Sequence, residues 1–237
     1  MPVVRGSTLS TAVVIPLYNG GPWIGRTLRS VAAQTRPPDD VIVVDDGSAD
    51  DSVSRVRGIP NVRVLKNPGK GVRLARNLGL NRTTADLVAF LDQDDVWHAT
   101  HLDHLAGVLE ARPSAAVAAA DGVILGPDDD PSWPEPVTAD IRAVDPWAAF
   151  PFGTIRCPSM ALARRDAVLA VGGWNPETRH VADIELWLRM AAHGEVVLSD
   201  RATVGVRVHR DSYSSRLRAE QIDEHLQSLG AMARTMG

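Results

Sequence analysis

The chain has 237 residues, and its 25 basic and 29 acidic side chains give a formal net charge of −4. This length suits a single domain with a large buried core, and a content of 44% hydrophobic and 23% charged residues is typical of a folded globular protein. The slight acidic excess argues against a nucleic-acid binder, and the single cysteine, Cys157, excludes an internal disulfide and a Cys-based zinc cluster.

The first hundred residues alternate between strand and helix patterns. Short apolar runs rich in β-branched residues predict strands at 11–17, 41–44, 62–66 and 87–91. Helical periodicity follows each run, from Pro22 to the Pro37-Pro38 pair and at 50–57, 70–81 and 98–112. This alternation predicts an α/β fold with a parallel sheet built of right-handed crossovers.

The second half of the chain is less regular. Strands are predicted at 115–125, 159–163, 195–198 and 204–209, and helices at 164–171, 183–192 and 216–236. Residues 126–145 carry prolines, aspartates and Trp133 without a period, which predicts a long surface loop. The sequence contains no run of about 18 apolar residues and no signal-peptide pattern, so we expect a protein of the cytoplasm or of the cytoplasmic face of a membrane, without a span.

Polar clusters follow three of the predicted strands. In a parallel α/β sheet the ligand lies beyond the carboxyl ends of the strands, which is where these clusters fall. They are Tyr18-Asn19, Asp45-Asp46 and Asp92-Gln93-Asp94-Asp95. At this edge a carboxylate of Asp45-Asp46 can accept a hydrogen bond from a nucleobase, although an Asx turn through Asp46-Gly47-Ser48 is the alternative.

The aspartates after the fourth strand have the spacing of a cation site. Two carboxylates can hold Mg²⁺ or Mn²⁺, which completes its shell with water and substrate phosphates and makes a diphosphate a better leaving group. In an extended segment Asp92 and Asp94 face the same side while Asp95 points away. The alternative is that Asp94 or Asp95 caps the helix predicted to begin near Trp97 or His98.

Two sets of segments carry a family pattern. The first set, between about residues 12 and 97, is VVIPLYNGGPWIGRTLRSVAAQT, VIVVDDGSADDS, KGVRLARNLGL and LVAFLDQDDVW. The second, between about residues 158 and 215, is LARRDAVLAVGGWNPE, VADIELWLRM and VRVHRDSYSS. The first set resembles the nucleotide-binding half of family 2 glycosyltransferases, and the second resembles their acceptor-side half.

The resemblance implies the GT-A fold, with a Rossmann-like, mostly parallel central sheet flanked by helices and a smaller acceptor-side part. Residues 1–237 then form a single GT-A domain, with a nucleotide-sugar-binding half at about 11–100, an acceptor-binding half at about 101–215 and a C-terminal helix at 216–237. The implied activity is that of a hexosyltransferase-type enzyme. It moves one sugar from a nucleoside diphosphate to an acceptor hydroxyl by a metal-assisted, inverting displacement that uses Mg²⁺ or Mn²⁺.

The nucleotide-sugar site implied by the resemblance uses the first polar clusters. The nucleobase of the donor packs against the first loop. Asp46 forms a hydrogen bond with this nucleobase, and Asp45 lies beside Asp46. Asp94 is the expected metal ligand, and Asp92 lies near the ribose and the metal. The remaining nucleotide-site residues of these clusters are Pro16, Tyr18, Asn19 and Gln93.

Three further residues are placed near the diphosphate. Lys70 or Arg73, at the start of a helix, can reach a phosphate, and an exposed helix face is the alternative for both. His209 lies where related enzymes often place a histidine near the metal or the diphosphate.

The expected catalytic base is Asp183. An inverting transfer needs a carboxylate that removes the acceptor proton as the hydroxyl attacks. The family motif there is Glu-Asp-x-x-Leu-Trp, but this chain has Ala182 in place of the glutamate. Glu185 competes for the role, yet it stands four residues before Arg189, the order of a helical salt bridge. The alternative for Asp183 is a helix N-cap.

Trp174, His180 and Glu185 are the expected acceptor-side residues, with Trp174 as a floor for the sugar, whereas Trp187 is expected in the core. The donor is expected to be a UDP-sugar, and the acceptor a saccharide, a lipid-linked compound or a natural product. The C-terminal helix offers a surface for a homodimer. Two other functions stay open. Because of Ala182, the chain could be a nucleotide-sugar-binding protein that is impaired in catalysis. It could also be a sugar nucleotidyltransferase, although the basic residue that such enzymes carry in the first loop is missing before Arg26.

Overall fold

The computed structural model describes residues 8–134, 140–144, 155, 157–178 and 181–210. The predicted C-terminal helix, the homodimer surface on it and His180 lie outside these ranges. Within them, no helix has both the length and the apolar character needed to cross a bilayer.

The first half of the chain forms four parallel strands with helices between them. These elements, in chain order, are β1 (Thr11–Leu17), α1 (Ile24–Ala32), β2 (Asp40–Asp45), α2 (Ser52–Val56), β3 (Val62–Lys66), α3 (Val72–Arg82) and β4 (Leu87–Phe90). β1 pairs in parallel with β2 and β4, and β2 pairs in parallel with β3. The alternation of predicted strands and helices is thus confirmed for this half.

At the centre of this half, α3 packs so closely on β1 that one position of the helix has no room for a side chain. All seven residues of β1 are buried, as expected for a strand covered on both faces. Gly79 of α3 lies directly on it, because a Cβ at that position would stand 2.3 Å from Val14 Cγ1. The helix therefore approaches the sheet closely and carries its charged first turns toward the carboxyl ends of the strands.

The second half adds a mixed extension to the same sheet. Its elements are β5 (Val96–Trp97), α4 (His101–Ala111), β6 (Ala115–Leu125), β7 (Ile141–Val144), a 3₁₀ turn (Pro158–Met160), β8 (Ala161–Arg164), α5 (Arg165–Ala170), α6 (Ala182–Met190) and β9 (Glu195–Arg207). The strand order is β3-β2-β1-β4-β8-β6-β9-β5, with β7 on β9. β8 is antiparallel to β4 and β6, whereas β9 is parallel to β6. The α/β class is confirmed.

Several predicted boundaries in this half are wrong. The strand expected at 159–163 is a 3₁₀ turn followed by β8, and the predicted loop at 126–145 contains β7. The two strands expected at 195–198 and 204–209 are one strand, β9. Its register against β6 shifts near Asp121, where Ala119 pairs with Leu198 and Asp121 with Ala202. The extra residues form a bulge, so the polar stretch in the middle of β9 does not end the strand.

Candidate functional site

Gln93 connects the loops after β1 and β4. Its Oε1 accepts from the Tyr18 N–H at 2.7 Å, and its Nε2 donates to the Tyr18 carbonyl at 3.0 Å. A Cβ on Gly20 would lie 2.6 Å from this amide, so a larger residue there would push the Gln93 side chain away from Tyr18. The Tyr18 ring is 57% exposed and available to a ligand. Pro16, in contrast, is buried within β1 and supports the loop from beneath instead of lining it.

Asn19 holds the first loop to the loop after β2. It has a left-handed backbone (φ 48°), which asparagine tolerates better than most residues. Its N–H donates to Ser48 Oγ at 3.1 Å, and its Oδ1 accepts from the Ala49 N–H at 2.8 Å. The side-chain oxygen is therefore used within the protein to join the two loops, and a contact from Asn19 to a nucleotide stays a prediction.

Asp45 and Asp46 have different partners. Asp45 Oδ1 accepts from the Ser48 N–H at 2.9 Å, so the Asx-type turn begins at Asp45 and not at Asp46 as the alternative had it. Asp46 Oδ1 accepts from Asn67 Nδ2 at 2.6 Å, and its Oδ2 accepts from the Gly71 N–H at 2.8 Å. Asp46 thereby fixes the loop before α3. Each carboxylate oxygen can accept a further bond, so a contact from Asp46 to a base stays a prediction.

Arg76 of α3 belongs to the site, although the sequence analysis missed it. It is 6% exposed, its Nη2 donates to Asp92 Oδ1 at 2.5 Å, and its guanidinium lies 4.3 Å from the centroid of the Trp174 ring. Lys70 is exposed and Arg73 is half-buried. The sequence did contain a signal for Arg76, because it stands three residues after Arg73 and therefore lies on the same helix face, about one turn further along α3.

Trp174 is not the floor of an acceptor site. It is 0% exposed and packs edge-on against Phe90 and Trp187, which places it in the core with Trp187. Its main chain is held by Asn77, which donates from Nδ2 to the Trp174 carbonyl at 2.7 Å and accepts the Trp174 N–H at 2.8 Å. The role of Trp174 is to support Arg76 from below, so the acceptor-side prediction for this residue is wrong.

The acidic residues after β4 form a tight turn, closed by the Asp95 N–H donating to the Asp92 carbonyl at 3.2 Å. Asp92 and Asp94 remain partly exposed. Asp95 is 3% exposed and accepts from Ser159 Oγ at 2.5 Å and from the Arg207 N–H at 2.9 Å. The separation of Asp95 from the other two is confirmed, but a turn produces it and not an extended segment. The capping alternative fails, because α4 begins only at His101.

Asp94 faces His209. The Nε2 of His209 lies 2.9 Å from Asp94 Oδ2, and its ring stacks on Trp23 with centroids 4.0 Å apart. Burial raises the pKa of Asp94 and the charge of Asp92 raises it further, whereas the hydrogen bond with His209 lowers it. Negative charge at Asp94 is therefore only partly compensated by the protein.

The donor set at this point suits a divalent cation. Carboxylate oxygens of Asp92 and Asp94 and the imidazole of His209 are ligands that Mn²⁺ accepts. Within the described ranges, no three His, Cys, Asp or Glu side chains are already arranged as a complete metal cluster. A cation here would take further ligands from a diphosphate and from water.

Asp183 lies in the first turn of α6. Burial raises its pKa to about 6, the Ile184 N–H and the charge of Arg76 lower it, and the charge of Asp92 raises it. Asp183 therefore lies close enough to Arg76 and Asp92 for their charges to change its pKa. Because the N-cap position belongs to Val181, the capping alternative for Asp183 fails.

Glu185 is a structural residue, so its acceptor-side prediction is wrong. It is 6% exposed and accepts two parallel bonds from Arg189, from Nε to Oε1 at 2.7 Å and from Nη2 to Oε2 at 2.6 Å. Arg189 also donates to the carbonyls of Val171 and Gly173, which fixes α6 against the loop after α5. The helical salt bridge expected as the alternative is confirmed.

Cys157 and Ala182 complete the surroundings of Asp183. Burial raises the pKa of the Cys157 thiol, and the charges of Asp95, Asp92 and Asp183 raise it further. Cys157 therefore lies beside the carboxylates, which the sequence did not indicate. Ala182 is 7% exposed and packs in the hydrophobic core, so this chain fills the position of the family's glutamate with apolar contact.

The model of the family described as Glycosyl transferase family 2 matches residues 12–172. The succinoglycan biosynthesis protein ExoW of Rhizobium meliloti (strain 1021) is 42% identical over 98 residues, 38% of this chain and 31% of that protein. The poly(ribitol-phosphate) β-N-acetylglucosaminyltransferase TarP of Staphylococcus aureus (strain N315) is 33% identical over 101 residues, 40% of this chain and 31% of that protein. These matches span about a third of each relative's length.

A solved structure shares the fold. The crystal structure of S. aureus TarS 1–349 in complex with UDP-GlcNAc superposes with a TM-score of 0.72 and 19% identity, over 91% of this chain and 64% of that one. At this identity the likeness shows the architecture, and it confirms the GT-A fold expected from the sequence.

Proposed function

The chain belongs to glycosyl transferase family 2, and we propose that it transfers a single sugar from a nucleoside-diphosphate sugar to an acceptor hydroxyl with inversion. The observation that carries the proposal is the set of charged groups around Asp183 at the carboxyl edge of the sheet. A carboxyl whose pKa is raised to about 6 stands within the electrostatic reach of Arg76 and Asp92.

Asp183 has the properties of the general base. With a pKa of about 6 it is about 90% ionised at pH 7, while remaining more basic than an ordinary aspartate. In the proposed step the acceptor hydroxyl loses its proton to the Asp183 carboxylate as its oxygen bonds to the anomeric carbon. The bond from that carbon to the diphosphate oxygen breaks, and the nucleoside diphosphate leaves with the electron pair.

The donor is proposed to be a UDP-sugar. The exposed Tyr18 ring and the Asp46 carboxylate offer a stacking surface and an acceptor for a base at the ends of β1 and β2. TarS is solved with UDP-GlcNAc, and TarP is named an N-acetylglucosaminyltransferase. These names support UDP-GlcNAc as the first donor to test, with a saccharide, lipid-linked or small-molecule acceptor.

Asp92, Asp94 and His209 are the residues proposed to hold Mg²⁺ or Mn²⁺. When bound, such a cation neutralises the diphosphate and makes it a better leaving group. The protein prepares this place in two ways. His209 Nε2 already lies 2.9 Å from Asp94 Oδ2, which brings two of the proposed ligands together, and Arg76 holds Asp92 through a buried guanidinium.

The proposal is tested by release of nucleoside diphosphate. Wild-type protein is incubated with Mn²⁺ and a panel of UDP-, dTDP- and GDP-sugars, with and without saccharide acceptors, and binding of each nucleotide is followed by thermal shift. We expect release from one donor class and its loss in Asp94→Ala. Binding without release from any donor would instead favour a nucleotide-sugar-binding role, and release of pyrophosphate from a nucleoside triphosphate would favour a nucleotidyltransferase.

A further inference from the structure

Arg207 is the last residue of β9, and its guanidinium is bonded to main-chain carbonyls from two separate loops. It is 2% exposed. Its Nε donates to the Asp94 carbonyl at 3.0 Å. Its Nη1 donates to the carbonyls of Gly126, Pro127 and Asp129 at 2.8, 3.0 and 2.9 Å. One side chain therefore joins the acidic turn after β4 to the turn after β6.

This arrangement depends on the shape of arginine. A buried cation loses its hydration, so it stays in place only where many acceptors replace the water. The planar guanidinium projects its N–H groups in fixed directions and can serve both loops at once. A lysine ammonium is a compact point charge on a flexible stem and cannot span the same carbonyls. Lysine at position 207 would keep the charge and lose the bridge.

The end of β9 holds the acidic turn at further points. The Arg207 N–H donates to Asp95 Oδ1 at 2.9 Å, and His209 Nε2 lies 2.9 Å from Asp94 Oδ2. Residues 207 and 209 are two apart, so in an extended segment they face the same side. Arg207 fixes the main chain of Asp94, while His209 fixes its carboxylate.

The turn after β6 is itself well anchored. The Gly126 N–H donates to Asp129 Oδ2 at 2.8 Å, which closes residues 126–129. Arg26 Nη1 of α1 donates to the Asp128 carbonyl at 3.3 Å. Because Arg26 and the Asp129 carboxylate both hold this turn, its carbonyl groups are fixed in place and can accept hydrogen bonds from Arg207.

We propose that Arg207 is a positioning residue for the cation site. It holds the Asp94 main chain against the turn at 126–129, so that the Asp94 carboxylate is aimed before a cation arrives. This inference rests on the proposed function, because Asp94 is a cation ligand only under that proposal. Arg207 does not touch the substrate; it acts through Asp94.

The test is direct binding of Mn²⁺ in the presence of UDP, measured from the loss of the free Mn²⁺ signal in electron paramagnetic resonance. Arg207→Lys is expected to raise the Mn²⁺ dissociation constant at least tenfold. The matched control is Arg164→Lys. Arg164 also bonds main-chain carbonyls, at Ala115 (2.8 Å) and Leu109 (2.7 Å), but its strand β8 pairs there with the amino end of β4. Its variant is expected to bind Mn²⁺ within twofold of wild type.

A second variant covers the case in which Arg207→Lys does not fold. Asp129→Ala removes the bond that closes the turn at 126–129 and leaves Arg207 itself in place. Its side chain is exposed, so the fold should persist, and the Mn²⁺ dissociation constant is expected to rise about threefold. Wild-type Mn²⁺ affinity in both variants that fold, or equal weakening in Arg164→Lys, overturns the inference.

Failure of this inference is distinguishable from failure of the proposed function. Mn²⁺ binding is read without turnover, whereas the proposed function is read from nucleoside diphosphate release. Tight Mn²⁺ binding by wild type that is weakened in Arg207→Lys supports the inference even if no sugar is transferred. Absence of Mn²⁺ binding by wild type in the presence of UDP overturns it, whatever the donor assay shows.

Discussion

Replacing Asp183 by asparagine should stabilise the fold. The pKa of Asp183 is raised from 3.8 to about 6 in the folded protein, mainly because burial disfavours the charged carboxylate. A difference of about two pKa units corresponds to about 3 kcal/mol of free energy, by which the ionised group destabilises the folded state relative to the unfolded one. Asparagine has nearly the same shape and carries no charge, so Asp183→Asn should recover up to about 3 kcal/mol.

The pH dependence makes this prediction specific. Below pH 3.8 the carboxyl is protonated in both states, so the variant should gain nothing there. The gain should grow between about pH 4 and pH 6 and stay constant above pH 6. Urea unfolding at several pH values measures it, with Asp166→Asn, at an exposed first-turn aspartate of α5, as the control for removing a carboxylate that is not buried. A loss of stability, or a gain independent of pH, would refute the assigned environment of Asp183.

Three further variants test the packing around the site. Arg76→Met removes the buried partner of Asp92 and should cost about 2 kcal/mol in the free energy of unfolding, because the Asp92 side chain is only 31% exposed. The same variant should shift the acid limb of turnover to higher pH, because the charge of Arg76 lowers the pKa of Asp183. Ser159→Ala removes the hydroxyl that donates to Asp95 at 2.5 Å and should cost about 1–3 kcal/mol in urea unfolding. Gly79→Ala places a Cβ 2.3 Å from a Val14 methyl and should lower the free energy of unfolding by about 1–3 kcal/mol through overpacking. Unchanged unfolding in any of them would contradict the corresponding contact.

The sequence was sufficient for the first half of the chain because its signals are local. A parallel strand buried on both faces is a continuous apolar run, and β1, β2 and β3 were found within one residue of their bounds. The polar residues that end such runs must lie at one edge of the sheet. That topological rule, with no contact information, placed Asp46, Asp92 and Asp94 at the same edge.

The second half of the chain was predicted less well because its arrangement depends on long-range contacts. In the sequence, the polar stretch in the middle of β9 indicates a loop between two strands. Only the pairing with β6 shows that this stretch is a bulge within one strand. Trp174 resembled a ligand platform, but its burial against Phe90 follows from tertiary packing. Arg76 and Arg207 were missed because an arginine is expected on the surface, and only the folded structure supplies the acceptors that let it be buried.

The measurement that bears most directly on the proposed function is the pH profile of sugar transfer by wild type and Asp183→Asn. With the donor identified and Mn²⁺ saturating, kcat/KM of wild type should fall about tenfold per pH unit below about pH 6, because the base is then protonated. Asp183→Asn should lose transfer at every pH while still binding the nucleotide. Near-wild-type turnover in Asp183→Asn, or an acid limb near the ordinary aspartate pKa of about 4, would contradict the assignment of Asp183 as the base.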